Sequence, residues 1–242
     1  MDEKKNARID LAAILRWSAR LGLNEGIDNH YSFMVPGTSN RFIINPHRRH
    51  WHDIRASELL EVNENGELIE GTEPPEATAF FIHSRIHVNC SGARAILHTH
   101  MPFVTALSSI VGAKLEPIVQ AALKFYNQIA YDDAYNGLAT TADEGNRLAE
   151  ALRDKRIAIL ANHGVIVTGP TVAHAFNDLY YLERAAQAQV LALSTGQELR
   201  RIPQDICART FIQMQLDRDD QSIRFLGEIK RILNKEEPEY KD

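Results

Sequence analysis

The chain has 242 residues, is 44% hydrophobic and 24% charged, and carries a formal charge of −5 at pH 7. That composition suits a folded unit with a substantial core, and its acidic balance gives no electrostatic basis for binding nucleic acid or an anionic membrane. The two cysteines, Cys90 and Cys207, match no CxxC spacing, and no apolar run has the length of a signal peptide or membrane span, so a cytoplasmic protein is expected.

Near the N-terminus, Leu11, Ile14, Leu15, Ser18 and Leu21 recur at helical spacing and Gly22 stops the run, which predicts a helix over Asp10–Leu21. Strands are predicted at Tyr31–Val35 and Arg41–Ile44, separated by the turn signal Pro36-Gly37. Leu59–Val62 and Glu67–Ile69 flank Asn63-Glu64-Asn65-Gly66 as a hairpin. Pro74-Pro75 opens a helix from about Glu76 to Val88, because proline fits a first helical turn. Ala93–His100 is read as a strand leading to a helix start at Pro102. Thr141-Ala142-Asp143-Glu144 has the capping-box pattern for a helix reaching about Asp154. The β-branched runs Ile157–Leu160 and Val165–Thr168 flank Ala161-Asn162-His163-Gly164, and Thr171 caps a helix over Val172–Leu193 that ends at Gly196. Ile206–Asn234 is helical in pattern and increasingly charged. No repeat or linker interrupts this order, so a single domain over residues 1–242 is expected, with a helical C-terminal tail from about 205. Helices alternate with hairpin-like strand pairs instead of strict βαβ units, which favours a layered α/β fold with a largely antiparallel sheet.

Residues two apart on a strand share a face, so His98 and His100 can present two imidazoles to one metal ion. Ten histidines make such a pair a weak sign by itself, and two hydrogen-bonded core histidines explain it as well. His163 changes the weighting. It lies between two β-branched runs, directly before Gly164, where the missing side chain permits close approach. Two ligands on one strand end and a third on a neighbouring one make an open three-histidine site. Glu76 falls at a helix start, where the helix dipole favours a carboxylate; a plain first-turn residue is the alternative. His83 and His87, spaced i, i+4, lack a third ligand and are read as a packed or subunit-facing surface. His47-Arg48-Arg49-His50 is either a solvated loop or a clamp for a substrate carboxylate, and Tyr180 and Tyr181 are core or interface aromatics.

The ordered motifs Asn29-His30-Tyr31-Ser32, Pro74-Pro75-Glu76, His98-Thr99-His100 and Asn162-His163-Gly164 resemble the class II aldolase/adducin family, over about Leu11–Gln197. The resemblance implies an α/β; α/β/α layered single domain with a central largely antiparallel sheet, commonly assembled as a homotetramer with active sites between subunits. It implies one divalent metal ion per chain on His98, His100 and His163, zinc first with manganese, cobalt and iron as alternatives, and Glu76 as the acid/base near it. Asn29, Ser32, Arg48 and Tyr126 are the candidate substrate contacts. Two departures turn the reading away from sugar phosphates. Where the aldolases carry paired serines before the glutamate, this chain has Pro74 and Pro75, which offer neither hydroxyl nor N–H. Ala121 stands where they place a proton-donating tyrosine, with Tyr126, Tyr131 and Tyr135 close in sequence. The runs Leu123–Tyr126, Ala130–Asp133, Tyr135–Leu138 and Asp178–Arg184 resemble instead a branch with decarboxylases of hydroxylated aromatic or pyridine carboxylates and an aromatic-acid oxygenase.

The function expected is a divalent-metal-dependent C–C lyase, a decarboxylase or aldolase, acting on a small, non-phosphorylated, metal-chelating hydroxy-carboxylate or hydroxy-carbonyl compound. Glu76 moves the proton in this reading, provided that burial near the metal tunes its pKa toward neutrality. Alternatives are a sugar-phosphate aldolase of the fuculose or rhamnulose phosphate type, an iron-dependent aromatic-acid oxygenase, and an adducin-like non-catalytic interaction protein. The last is disfavoured, because all four site positions are kept and no long basic tail is seen.

Overall fold

In the computed structural model, which describes residues 3–242, eight strands form one sheet in the order β4-β3-β2-β1-β5-β8-β7-β6. The strands are β1 (His30–Met34), β2 (Arg41–Ile44), β3 (Leu60–Asn63), β4 (Leu68–Glu70), β5 (Ala95–Thr99), β6 (Ile129–Asp132), β7 (Ile157–Leu160) and β8 (Gly164–Gly169). Neighbours run antiparallel except β6 and β7, which are parallel. The helices are α1 (Glu3–Arg20), α2 (Ala77–Asn89), α3 (Pro102–Ser108), α4 (Ala142–Leu152), α5 (Val172–Leu193), α6 (Gln204–Leu216) and α7 (Arg218–Glu236).

Strand alternation sends successive residues of β5 to opposite faces. Ala95 and Leu97 join a core with residues of α1, α5 and α7, whereas Ile96 joins one with α2 and α4. The result is the α/β/α layering expected. Because helices cover both faces, β5 and β8 are buried along their whole length.

Local departures have physical causes. α1 starts at Glu3, before the predicted Asp10, and its early turn is anchored by polar contacts rather than apolar periodicity. Arg8 donates to the Leu59 carbonyl at 2.6 Å and pairs with Glu70 at 3.0 Å. The capping box at Thr141 does not form: Thr141 makes no side-chain cap, and Glu144 pairs with Arg147. β6 was not anticipated, since its half-buried residues show no alternation and its pairing with β7 is long-range. The C-terminal helical run breaks at Asp217, and Leu226, Ile229 and Leu233 of α7 enter the main core. Among the described residues, no helix is long and apolar enough to cross a membrane.

Candidate metal centre

β1 and β5 pair so that His30 and His98 are register partners, and both face α2. His98 donates from Nδ1 to the Val165 carbonyl on β8 at 3.0 Å, leaving Nε2 with its lone pair. His100, one residue past β5, gives its Nδ1 proton to the Glu25 carboxylate. Its Nε2 is buried and has no hydrogen-bond partner. His163 comes from the β7–β8 turn, after Asn162 in the left-handed region at φ 55°. The three ring centroids lie 5.1, 4.8 and 4.8 Å apart, and one ligand atom from each ring falls within 4.8 Å of the others. Gly164 is required for this closure. A Cβ there would lie 2.6 Å from the Thr99 carbonyl oxygen and 2.8 Å from Cδ2 of His100.

Burial, and then repulsion from neighbouring imidazoles, disfavours protonation of two of the rings, His98 and His163. It holds His98 well below the usual histidine range and His163 at about 4. Three convergent imidazoles, His98 and His100 each oriented through Nδ1 and His100 with a buried Nε2 left without a partner, are the donor set a divalent ion takes. His98, His100 and His163 therefore fit such an ion.

The cluster opens on a cleft of about 550 Å³ that is also lined by Glu25, Asn29, His30, His47, Glu76 and Tyr135. Among the described residues no Lys or Arg lines it. Glu76 is the N-cap of α2, accepting from the Ala79 amide at 2.8 Å and from the Thr78 hydroxyl. Burial pushes its pKa up, but the Thr78 and Ala79 hydrogen bonds and nearby His47 outweigh that and hold it below the usual carboxylate value. The tuning toward neutrality set as a condition is thus reversed, because capping bonds stabilise the charged form.

Of the candidate substrate contacts, only Asn29 lines the cleft; its Oδ1 accepts from the Glu25 amide at 2.8 Å. Ser32 is buried between His83 and His87 instead. Arg48 is exposed on a left-handed turn (φ 57°) away from the cleft, while Arg49 pairs with Glu58 and Arg41 with Glu61. Of the run read as a solvated loop or a carboxylate clamp, His47 lines the cleft and the arginines do not. Tyr126 packs near Phe211, with centroids 6.5 Å apart, and does not line the cleft. Tyr135 does, with its ring 6.1 Å from that of His163. Sequence reasoning noted Tyr135 only among neighbouring tyrosines and His47 only as part of the basic run, and it missed Glu25 in the cleft, which no local pattern marks. His83 and His87 are packed inside the chain against β1.

A strand-end cluster of three histidines that could hold a metal ion, beside a capping carboxylate, sits on a layered, largely antiparallel sheet. A family model described as Class II Aldolase and Adducin N-terminal domain matches residues 9–190. The structure superposes on an aldolase II superfamily protein from Pseudomonas syringae with a TM-score of 0.93 and 31% identity, covering 100% of this chain and 97% of that one. An L-fuculose 1-phosphate aldolase from Glaciozyma antarctica PI12 gives 0.87 and 26%, covering 99% and 93%. Decarboxylase NovR from Streptomyces niveus is 29% identical over 205 residues, 84% of this chain and 75% of that protein. The chain belongs to the class II aldolase and adducin family.

Proposed function

We propose that the protein is a divalent-metal-dependent carbon–carbon lyase for a small, non-phosphorylated hydroxy-carboxylate or hydroxy-carbonyl compound, with decarboxylation ranked ahead of aldol cleavage. The observation that carries this reading is the three-imidazole cluster, with its orphaned His100 Nε2, opening on the same cleft as Glu76. His98, His100 and His163 would hold the ion, zinc first for an all-imidazole set. Bound there, it supplies positive charge where anionic charge develops on a substrate oxygen.

Glu76, held ionised, is set to accept the proton of a substrate hydroxyl at its carboxylate. In a retro-aldol cleavage it returns that proton to the carbon that loses its bond. In a decarboxylation it relays a solvent proton to the carbon that CO₂ leaves. Tyr135, in the cleft near His163, is the proposed second proton donor in place of the tyrosine absent at Ala121.

Two observations support a substrate without phosphate. Pro74 and Pro75 contribute no hydroxyl or N–H, and the cleft carries Glu25, Asp28 and Glu76 but no Lys or Arg among the described residues. A buried phosphate dianion there lacks the cationic partners that offset its desolvation. The decarboxylase name of the Streptomyces relative supports the ranking, and likeness to the fuculose phosphate aldolase keeps aldol cleavage as the second reading. A homo-oligomer, tetramer favoured, is also proposed; the highly exposed Val111, Leu138 and Leu216 support it. The free cysteines Cys90 and Cys207 fit a reducing cytoplasm.

The test is a panel of hydroxy-carboxylates and sugar phosphates, run on metal-free protein reconstituted in turn with zinc, manganese, cobalt and iron. CO₂ release from a hydroxy-carboxylate is expected. Efficient sugar-phosphate cleavage with no decarboxylation anywhere would overturn the ranking.

A further inference from the structure

Behind His98, a file of polar side chains runs from the cleft along α2. His30 Nδ1 meets His83 Nε2 at 2.7 Å, and His83 Nδ1 meets the Ser32 hydroxyl. Ser32 Oγ meets His87 Nε2 at 2.8 Å, and His87 Nδ1 meets the Ala93 carbonyl oxygen at 2.9 Å. All four side chains are buried. The arrangement follows from two periodicities: His30 and Ser32 share one face of β1, and His83 and His87 share one face of α2.

With every imidazole neutral, only one arrangement of protons satisfies every link. A carbonyl oxygen can only accept, so His87 donates from Nδ1. Burial above all keeps His87 neutral, with its pKa down at about 3, so its Nε2 carries a lone pair. Ser32 must therefore donate to His87, and with its single proton engaged it must accept from His83 Nδ1. Neutral His83 then accepts at Nε2 from His30 Nδ1–H. The opposite polarity would set a His87 lone pair against the Ala93 carbonyl. His30 is left with an unprotonated Nε2 that bonds to none of the described residues. Its ring lines the cleft and stacks on His98, with centroids 4.8 Å apart.

We infer that the Ala93 carbonyl, acting through His87, Ser32 and His83, fixes His30 as a hydrogen-bond acceptor in the cleft, so that the site selects ligands presenting an O–H or N–H donor beside the histidine cluster. The same lone pair disfavours a carboxylate or phosphate oxygen at that spot, because both would be acceptors. His30 is the specificity group; His83, Ser32 and His87 are positioning residues. The choice of ligand rests on the proposed function, whereas the polarity of the file does not.

The experiment has two arms. ¹⁵N NMR of histidine-labelled, metal-free protein should show His30, His83 and His87 as neutral Nδ1–H tautomers. A His30 protonated at Nε2 overturns the inference whatever the enzyme does. In the second arm, calorimetry on zinc-loaded protein compares 2-hydroxybenzoate with 2-methoxybenzoate. His30→Phe should shrink the wild-type preference for the hydroxyl compound about tenfold, the worth of one buried hydrogen bond, with zinc stoichiometry unchanged. Zinc binding with an unchanged preference overturns the inference and spares the lyase reading. Failure of the wild-type protein to bind zinc, manganese, cobalt or iron overturns the lyase reading, and the NMR arm still decides this one. If His30→Phe does not fold, Ser32→Ala cuts the file while leaving His30 in place. A mixture of His30 tautomers is then expected, and a single unchanged tautomer counts against the proposal.

Discussion

The Glu25 carboxylate accepts the Nδ1 proton of His100 across 75 residues of sequence, leaving the buried Nε2 of that ring free for the histidine cluster. Glu25 is itself well exposed, so the bond orients more than it stabilises. Carboxylate partners of ligating histidines typically contribute ~10–100-fold in metal affinity. Glu25→Ala should weaken zinc binding by about that factor in a chelator competition titration, with Glu25→Gln intermediate because its amide oxygen still accepts. Unchanged affinity in Glu25→Ala would show that the contact has no orienting role.

Glu76 has two jobs that one substitution can separate. Its carboxylate caps α2 and lines the cleft. Glu76→Gln retains an oxygen for the Ala79 amide, so the fold and the zinc should survive. Turnover should fall by ~10²–10⁴-fold, the usual worth of a general acid/base. Wild-type turnover on the true substrate would reduce Glu76 to a cap.

Gly164→Ala should lower stability by roughly 1–3 kcal/mol, the range for overpacking, and also weaken zinc binding. The added methyl would press on the Thr99 carbonyl and the His100 ring, two rigid neighbours. Denaturant unfolding of the metal-free variant measures the first effect. An unperturbed midpoint would mean that the turn shifts freely.

The buried histidines make stability depend on pH. His87 titrates at about 3 in the folded chain and His163 at about 4, against an ordinary value of 6.5 in the unfolded one. Between those values unfolding takes up protons, so stability is full above about 6.5 and falls as pH drops toward the folded values. His87 alone contributes a slope of up to ~1.4 kcal/mol per pH unit in that window. Melting of metal-free protein should therefore drop steadily from pH 7 to pH 5, and His87→Leu should flatten the slope. A flat profile in the wild-type chain would contradict the neutral assignment.

What could be read from sequence followed local physics. The H-x-H pair lay on one strand face, a glycine followed His163, and Pro74-Pro75 placed Glu76 at a helix start; the structure brings these residues to one cleft. Ser32, Arg48 and Tyr126 fared differently, because proximity in sequence to a motif does not say where a side chain points. Ser32 turned out to sit behind the cleft, Arg48 on an exposed turn and Tyr126 against Phe211. Glu25 and the His30–His83–Ser32–His87 file join β1, α2 and the loop before β1, contacts of long sequence separation that leave no periodic trace. The lowered pKa of Glu76 is not legible in the sequence, because it depends on the Thr78 and Ala79 donors being in place, which composition at a helix start does not reveal.

The most direct measurement of the central claim is zinc stoichiometry, by native mass spectrometry, of wild-type protein and of His163→Ala, each stripped and then titrated with zinc. The expected result is one tightly held ion per wild-type chain and none in the variant, with the variant still folded by circular dichroism. A wild-type chain that holds no zinc, manganese, cobalt or iron, or a His163→Ala chain that holds a full equivalent, would contradict the assignment of His98, His100 and His163 as the metal centre.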